Sequence, residues 1–423
     1  MIISSINSYS ERYLRSGRIK QILTLFSVTL ASIPIGIVTS VVLTGFLGSK
    51  LYGDYQFLNS LFLFAVVIFS TGFFQAANRA LVLNEDKQKN REYYGATLVI
   101  LLMLFLVMAA FLIIYSYLDV NIKSKGLNNL LLLLIPFGWL YLLINYFEVL
   151  FQADNKIGLL SISRLLPKVG FLTSSFIIYY FFINIEKYKL ELVWFFFIIT
   201  QIIVYFYIIK KLKVSFKNFK HRVNELWNLN KSFGLHIYLG SVFGVGIAQL
   251  TGIIISYYSH DNSGVGYFAL AFTFCSPLQF IPNTIATTHY KDFASQSVIP
   301  NKLIYFTLFL TFISLILSWI LVPIFINYYY GKEFEPVIQL NFVLSISIAL
   351  YGIADFYNRF LGAHGKGKQI RNSSFIVGFI VLLASLILIP QFGAQGAVYS
   401  RLAGGCIYIS CMLFYYKKSH KII

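Results

Sequence analysis

The chain has 423 residues, of which 58% are hydrophobic and 12% are charged, and its mean hydropathy is +0.73. In a soluble domain about a quarter of the residues are charged. The composition of this chain therefore excludes a soluble globular protein. The net charge of +18 would suggest a nucleic-acid partner in a soluble protein, but the basic residues lie mostly between long apolar segments, so none is expected.

Apolar segments of membrane-spanning length follow one another along the whole chain, separated by short polar joints. About 20 helical residues cross a hydrocarbon core of roughly 30 Å. The segments lack the alternation of membrane β-strands, so we predict an all-α integral membrane protein with about 12 transmembrane helices. The predicted spans are 21–46, 55–77, 93–118, 127–150, 159–183, 190–210, 232–257, 265–288, 301–326, 336–361, 370–390 and 394–416.

The basic residues are distributed unequally between the two sides of the predicted bundle. Joints on one side hold 24 of the 34 basic residues, and joints on the other side hold 6. The positive-inside rule therefore predicts that both termini are cytoplasmic. The longest joint, 211–231, is basic with interleaved apolar residues, and we predict an amphipathic helix lying on anionic lipid headgroups. A solvated basic linker is the alternative.

Two short phrases recur at matching joints, which indicates an internal repeat. Gly53 and Gly266 are 213 residues apart, and the segments 151–156 and 361–366 are 210 residues apart. We predict two six-helix lobes, 1–210 and 232–423, joined by 211–231 and related by a pseudo-two-fold axis along the membrane normal, with a central cavity. Residues that favour helix bending indicate hinges at Pro34, Gly244 and Gly246. Close packing of small residues is an equal alternative for the glycines.

The order of these joints resembles the oligosaccharide flippases of the Wzx type, in the multidrug, oligosaccharidyl-lipid and polysaccharide export superfamily. The phrases that carry the resemblance are 47–57, 146–156, 330–335 and 390–397. The resemblance implies a MATE-like bundle in the bacterial inner membrane that moves undecaprenyl-pyrophosphate-linked oligosaccharide units by alternating access. It also implies membrane lipids as partners, and a polysaccharide polymerase and a chain-length regulator as candidate partners. The pathway that the resemblance implies makes O-antigen (lipopolysaccharide) or another surface polysaccharide.

Basic residues inside the predicted spans are candidates for binding this anionic passenger. A charge near the centre of a membrane helix costs at least about 2.5 kcal/mol on insertion scales, so it needs a partner or a wet cavity. Arg164 and Lys168 share one helix face next to Pro167 and form a cationic strip suited to a pyrophosphate or acidic sugars. Further candidate substrate-binding residues are Arg79, Arg359 and Arg401. The alternative for Arg164 and Arg401 is snorkelling to headgroups, and for Arg79 the general basic bias of that side.

Acidic and titratable residues in the spans have more than one interpretation each. Glu148 either pairs with Arg164 or Lys168, binds a coupling proton or cation, or reaches interfacial water. Asp355 and Arg359 are four residues apart, so an intrahelical ion pair explains both without a substrate. His236 is a candidate proton relay, although a packed, hydrogen-bonded role is the more common one. The three cysteines indicate neither a disulfide framework nor a metal site, and no cofactor is expected.

The balance of span charges favours a transporter for an anionic cargo. A cation-coupled multidrug antiporter of the same superfamily is the first alternative, but it would be expected to keep unpaired carboxylates in its cavity. A membrane-embedded polymerase or acyltransferase is an alternative of another class, and it would need a sizeable loop for its chemistry. No glycine-rich phosphate loop ending in Gly-Lys-Ser or Gly-Lys-Thr occurs, so this chain is not expected to hydrolyse ATP.

Overall fold

The computed structural model describes residues 17–420, and all regular structure in that range is helical, which confirms the predicted fold class. The basic residues of the predicted cytoplasmic side that fall outside these residues are Arg12, Arg15 and Lys421. The α-helices are α1 (Gly17–Phe69), α2 (Phe73–Val82), α3 (Lys87–Leu118), α4 (Val120–Ser124), α5 (Asn128–Leu134), α6 (Trp139–Ala153), α7 (Ile157–Phe182), α8 (Lys189–Leu212), α9 (Phe219–Leu229), α10 (Leu235–Ser241), α11 (Ile247–Tyr258), α12 (Ser263–Thr288), α13 (Tyr290–Ser295), α14 (Asn301–Tyr329), α15 (Pro336–Ala363), α16 (Gly367–Phe392) and α17 (Ala394–His420).

Helix α1 contains the first two predicted membrane crossings. Its 53 residues would extend about 80 Å at 1.5 Å per residue, more than twice the thickness of a hydrocarbon core. Gly48 divides the helix, with φ 70° and ψ 177°. Counted by length and composition, ten helices in the described range can cross a membrane, or eleven if the pair Asn128–Phe137 and Trp139–Ala153, bent by 44°, is one span. With the break at Gly48, nine of the twelve predicted segments fall on one helix each, and 55–77, 127–150 and 232–257 each cover more than one helical element.

The second predicted span is interrupted, whereas the sequence predicts a continuous helix over 55–77. α1 ends at Phe69 and α2 begins at Phe73, with positive φ at Thr71 (44°) and Gly72 (82°). The side-chain amide of Asn230 donates a hydrogen bond to the carbonyl of Thr71 at 3.1 Å. A Cβ on Gly72 would lie 2.5 Å from the carbonyl carbon of Gly234. The break is therefore fixed by a tight contact with a distant part of the chain, which no local sequence signal reveals.

The seventh predicted span is also irregular. It contains two π-helical segments, Asn230–Gly234 and Val242–Gly246, on either side of α10. The second segment includes Gly244 and Gly246, two of the predicted hinge residues. Single π-helical turns often lie at functional sites, so this irregularity supports the hinge interpretation, which stays a prediction.

The local geometry of the repeated joints matches in detail. Asn155 and Gly365 both adopt the left-handed conformation, with φ 52° and 68°. The amide of Lys156 donates to the carbonyl of Phe151 at 2.9 Å. At the equivalent joint the amide of Lys366 donates to the carbonyl of Leu361 at 3.0 Å. The helices that follow, α7 and α16, both have 26 residues. The two phrases therefore form the same helix-ending turn.

The contacts divide the chain into two compact units that are interleaved in sequence. Unit 1 contains the described residues up to Val42 together with Phe69–Ile113 and Leu132–Tyr238. Unit 2 takes Leu43–Ile68, Ile114–Leu131 and the chain from Leu239 onward. The predicted lobes 1–210 and 232–423 are contiguous, because they were defined by the repeat and not by contacts. Their assignment as lobes stays a prediction.

Each unit has its own aromatic core. In unit 1, fully buried rings of α2, α3 and α6 pack against one another, with Tyr146 donating a hydrogen bond to the carbonyl of Tyr94 at 3.0 Å. In unit 2, Phe293 packs edge-on against Phe356 and Phe360. By contrast, large apolar side chains such as Phe181 (80% exposed) lie on the outside. Lipid tails cover such a surface at no hydrophobic cost.

The basic joint between the predicted lobes forms helix α9 as expected, and it is docked on unit 1. Arg222 donates to Glu92 at 2.8 Å and to Glu225 at 2.7 Å, and Tyr93 donates to Glu225 at 2.8 Å. Leu226 is buried, while Trp227 is half exposed. The amphipathic character is therefore real, and the contact with anionic headgroups stays a prediction.

Candidate functional site

A cavity of about 350 Å³ lies within unit 1 and contains the predicted cationic strip. We call it the first cavity. Helices α1, α6, α7 and α8 each contribute to its wall. Its lining residues are Val28, Thr29, Ser32, Ile144, Phe147, Glu148, Ser163, Arg164, Pro167, Lys168, Gln201 and Tyr205. The strip therefore faces a cavity, as a charge at membrane depth requires.

Arg164 is held in the first cavity by a carboxylate on the neighbouring helix. Its Nε donates to one oxygen of Glu148 at 2.9 Å, and its terminal nitrogen donates to the other oxygen. This bidentate geometry makes a strong ion pair. Gln152, one turn later on α6, also donates to Glu148 at 2.7 Å. Of the interpretations of Glu148, the structure shows the pairing with Arg164.

Lys168 is different, because it has no hydrogen-bond or ion-pair partner among the residues whose side chains the structure describes. It lies one turn beyond Arg164 and next to Pro167, which removes a backbone donor from α7. Since Glu148 neutralises Arg164, the described wall of the first cavity keeps one net positive charge, and that charge is on Lys168. The cavity is therefore suited to an anion.

Polar residues of helix α8 complete the first cavity, and the sequence-based prediction did not include them. Gln201 on α8 lines it, and its side-chain oxygen is buried without a hydrogen-bond partner in the part of the chain that the structure describes. Tyr205 lies one turn further along α8, with its ring packed edge-on against Phe147 at 5.2 Å. A glutamine in the middle of an apolar span was a usable signal, because an amide in hydrocarbon also needs partners.

A second cavity, of about 180 Å³, lies within unit 2 at positions related to the first by the repeat. Ser374, Val377 and Gly378 of α16 line it, and they are 210 residues beyond Arg164, Pro167 and Lys168. The two positive charges of the first cavity are thus absent from the equivalent helix. The other lining residues are Phe243, Gly244, Ile247, Ala248, Tyr351, Val381, Arg401 and Tyr408.

Arg401 supplies the positive charge of the second cavity from helix α17. Its guanidinium carbon lies 5.6 Å from the ring centre of Phe272 and 6.0 Å from that of Tyr351. Its Nε is buried and has no hydrogen-bond partner among the described residues. Arg401 is thus in a cavity wall and not among headgroups in this structure.

The ion pair expected between Asp355 and Arg359 is absent from the described residues, so that interpretation is wrong. Asp355 instead accepts hydrogen bonds from Gln279 at 2.7 Å and from Tyr408 at 2.8 Å. The i, i+4 spacing allows a pair, but α12 and α17 offer neutral donors that hold the carboxylate inside. Arg359 is exposed.

Three other predicted residues lie outside both cavities. Arg79 is exposed and its guanidinium stacks 5.6 Å from the ring centre of Phe233. His236 is exposed on α10, and Pro34 is exposed on α1. The structure therefore brings together Glu148, Arg164 and Lys168, but it does not place Arg79, Arg359 or His236 with them.

A buried polar cluster in unit 2 was not predicted at all. Asn262 donates to Asp54 at 2.7 Å, and its side-chain oxygen accepts from Lys125 at 3.0 Å and from Ser256 at 2.6 Å. Ser256 also accepts from Lys125 through its backbone carbonyl. Burial lowers the pKa of Lys125, although nearby carboxylates oppose this effect. Nearby, Glu333 accepts from the backbone amide of Ser49 at 3.0 Å.

The helical bundle defines a multi-pass membrane protein. A family model described as polysaccharide biosynthesis protein matches residues 19–290, and the chain belongs to this family. It is similar to the capsular polysaccharide biosynthesis protein CapF of Staphylococcus aureus, with 22% identity over 80% of this chain and 85% of that protein. The resemblance to polysaccharide biosynthesis proteins, predicted from the sequence, is thereby confirmed.

Solved structures show the same fold. A lipid II flippase MurJ in an inward closed conformation aligns with a TM-score of 0.73 and 17% identity, over 95% of this chain and 89% of that one. An inward-facing MATE multidrug transporter of the MOP superfamily aligns with a TM-score of 0.69 and 10% identity, over 95% and 98% of the two chains. The MATE-like architecture predicted from sequence is therefore confirmed.

Proposed function

We propose that this protein is a flippase that moves undecaprenyl-pyrophosphate-linked oligosaccharide units across the bacterial inner membrane for the synthesis of a surface polysaccharide. Its termini are cytoplasmic in this proposal, and the two repeat-related lobes alternate access to the passenger. A polymerase and a chain-length regulator would act on the passenger after release. The observation that carries the proposal is the unpartnered Lys168 in a cavity whose other base, Arg164, is already neutralised.

A diphosphate suits this cavity for a specific physical reason. Lysine binds phosphate as a compact point charge with three donors, and it needs no planar partner. A positive charge exposed to a cavity at membrane depth attracts an anion strongly because little water screens it. Gln201 and Ser163 on the same wall offer neutral donors for further phosphate oxygens.

The experiment is complementation of a bacterial strain that lacks its own flippase of matching passenger specificity. The wild-type protein should restore surface polysaccharide. Lys168→Gln should abolish most of this rescue at equal protein level, and Lys168→Arg should retain part of it. Lys302→Gln is the matched control, since Lys302 is an exposed lysine that lines neither cavity. Full rescue by Lys168→Gln would reject the assignment of the site.

The runner-up is a cation-coupled multidrug antiporter, which the structural similarity to a MATE transporter favours. The charge of the first cavity opposes it, because a cationic drug would meet Lys168 there. One assay distinguishes the flippase from the antiporter. Resistance to cationic dyes without rescue of polysaccharide would support the antiporter. A membrane-embedded polymerase or acyltransferase would instead lengthen or modify the lipid-linked sugar in vitro.

A further inference from the structure

We infer that the second cavity binds the carboxylate of an acidic sugar, with Arg401 as the group that holds it. This inference rests on the proposed function and deepens it, because it assigns part of the sugar chain to a site separate from the diphosphate site. It is carried by the geometry around Arg401 and by the contrast between the two repeat-related cavities.

The guanidinium of Arg401 is left without a negative partner. It forms no ion pair with any residue in the described range. Asp355 is the acid on the adjacent helix α15, and Gln279 and Tyr408 already hold it. In addition, the buried Nε of Arg401 lacks an acceptor. A buried donor without an acceptor is costly, so this position favours an acceptor from outside the chain.

The surroundings of Arg401 fit a planar anion on a ring. Phe272 and Tyr351 flank the guanidinium at 5.6 and 6.0 Å and restrict its orientation. A fixed, planar guanidinium matches a carboxylate with two parallel hydrogen bonds. Tyr351 and Tyr408 also line the cavity. Their rings give an apolar face to a sugar.

Tyr408 is held in position for this role. Its hydroxyl accepts a hydrogen bond from Asn358 at 2.7 Å and donates one to Asp355 at 2.8 Å. Its ring also packs against that of Tyr351 at 5.6 Å. The aromatic wall beside Arg401 is therefore ordered before any ligand arrives, which lowers the entropic cost of binding.

The type of charged group distinguishes the two cavities, because each keeps one net positive charge among its described lining residues. In the first cavity that charge is the compact ammonium of Lys168, next to the paired Arg164, and a lysine binds phosphate as a point charge. The second cavity has a single arginine, because Ser374 and Gly378 stand at the positions equivalent to Arg164 and Lys168. One arginine balances one carboxylate. An acidic sugar therefore fits the second cavity better than a diphosphate does.

The test measures binding of glucuronate to the purified full-length protein in lipid nanodiscs, by saturation-transfer NMR and by the shift of the unfolding temperature. Glucose, inorganic pyrophosphate and chloride are the comparison probes. Glucuronate should bind the wild type, glucose should bind much more weakly, and Arg401→Gln should weaken glucuronate binding roughly tenfold or more. Lys302→Gln, which removes an exposed lysine outside both cavities, is the matched control and should leave glucuronate binding unchanged.

Two further variants guard against a folding defect in Arg401→Gln. Arg401→Lys keeps the charge but loses the planar donor pair, and it should also bind glucuronate more weakly. Ser374→Leu should block the second cavity without touching Arg401. Unchanged binding of glucuronate by these folded variants, equal binding of glucose, or competition by chloride or pyrophosphate at equal concentration would overturn the inference.

The inference and the proposed function fail in different ways. If the wild-type protein restores surface polysaccharide but does not bind glucuronate, only the acidic-sugar site is rejected. Glucuronate binding that depends on Arg401, without any rescue of polysaccharide, would reject the flippase and keep the site.

Discussion

Gly53 and Gly266, the two glycines of the repeated phrase, pack directly against each other. A Cβ on Gly266 would lie 3.1 Å from both the Cα and the amide nitrogen of Gly53. Both glycines belong to unit 2, although one comes from each half of the sequence. The phrase was recognised as a repeat of local structure, but it also marks the point where helix α1 and helix α12 touch.

This contact predicts that Gly53→Ala is strongly destabilising. An added Cβ would lie 1.9 Å from the carbonyl oxygen of Asn262, which is backbone and cannot rotate away. We expect a loss of about 1 to 3 kcal/mol, the usual cost of overpacking, measured by thermal unfolding of the purified protein.

Gly36→Ala is the matched control for that substitution. Gly36 also lies in α1, and no atom lies within 4 Å of the position of its Cβ. Alanine is favoured over glycine in a helix by about 1 kcal/mol, so this variant should be as stable as the wild type or more stable. Equal loss of stability in both variants would contradict the contact.

The buried polar cluster predicts a rescue by exchange of two side chains. Asn262→Asp replaces the donor that faces Asp54 with a second carboxylate, and we expect it to destabilise the protein by a few kcal/mol. The double variant Asp54→Asn, Asn262→Asp restores one donor and one acceptor at the pair. It also keeps the acceptor for Lys125 and Ser256. A double-mutant cycle on the unfolding temperature should show that the double variant is more stable than Asn262→Asp alone.

Much of the fold follows from the sequence because membrane spans are set by local composition. The twelve segments, the basic linker helix and the repeated turn at Asn155 and Gly365 all depend on residues within a few positions of one another. The first cavity could also be anticipated, since Arg164 and Lys168 needed polar surroundings at their depth. Neither conclusion required knowledge of distant contacts.

The predictions that were wrong concerned residues whose partners lie on other helices. The i, i+4 rule paired Asp355 with Arg359, but Gln279 on α12 reaches the carboxylate instead. The break at Gly72 depends on Gly234, more than 160 residues away. Lys125 was placed in an exposed joint, whereas its ammonium is bound inside a polar cluster. Tertiary contacts decide these cases, and periodicity does not carry that information.

The docking of helix α9 predicts that Arg222 controls the order of the basic linker. Its side chain is only 12% exposed, and that of its partner Glu92 is 5% exposed. Arg222→Ala would leave Glu92 buried without its cation, at a cost of about 3 kcal/mol. Limited proteolysis within 211–231 should become faster. Lys220→Ala, which removes an exposed base from the same helix, should leave the rate unchanged.

The pairing of Glu148 with Arg164 predicts opposite effects on binding and on transport. Glu148→Gln would give the first cavity a second unbalanced positive charge, since Arg164 loses its carboxylate. We expect tighter binding of inorganic pyrophosphate to the purified protein but reduced rescue of surface polysaccharide, because an anion held too firmly is released slowly. The double variant Glu148→Gln, Lys168→Gln restores one net positive charge and should bring pyrophosphate affinity back toward the wild type. Weaker pyrophosphate binding in Glu148→Gln would show that Glu148 serves to position Arg164 for the ligand and not to balance its charge.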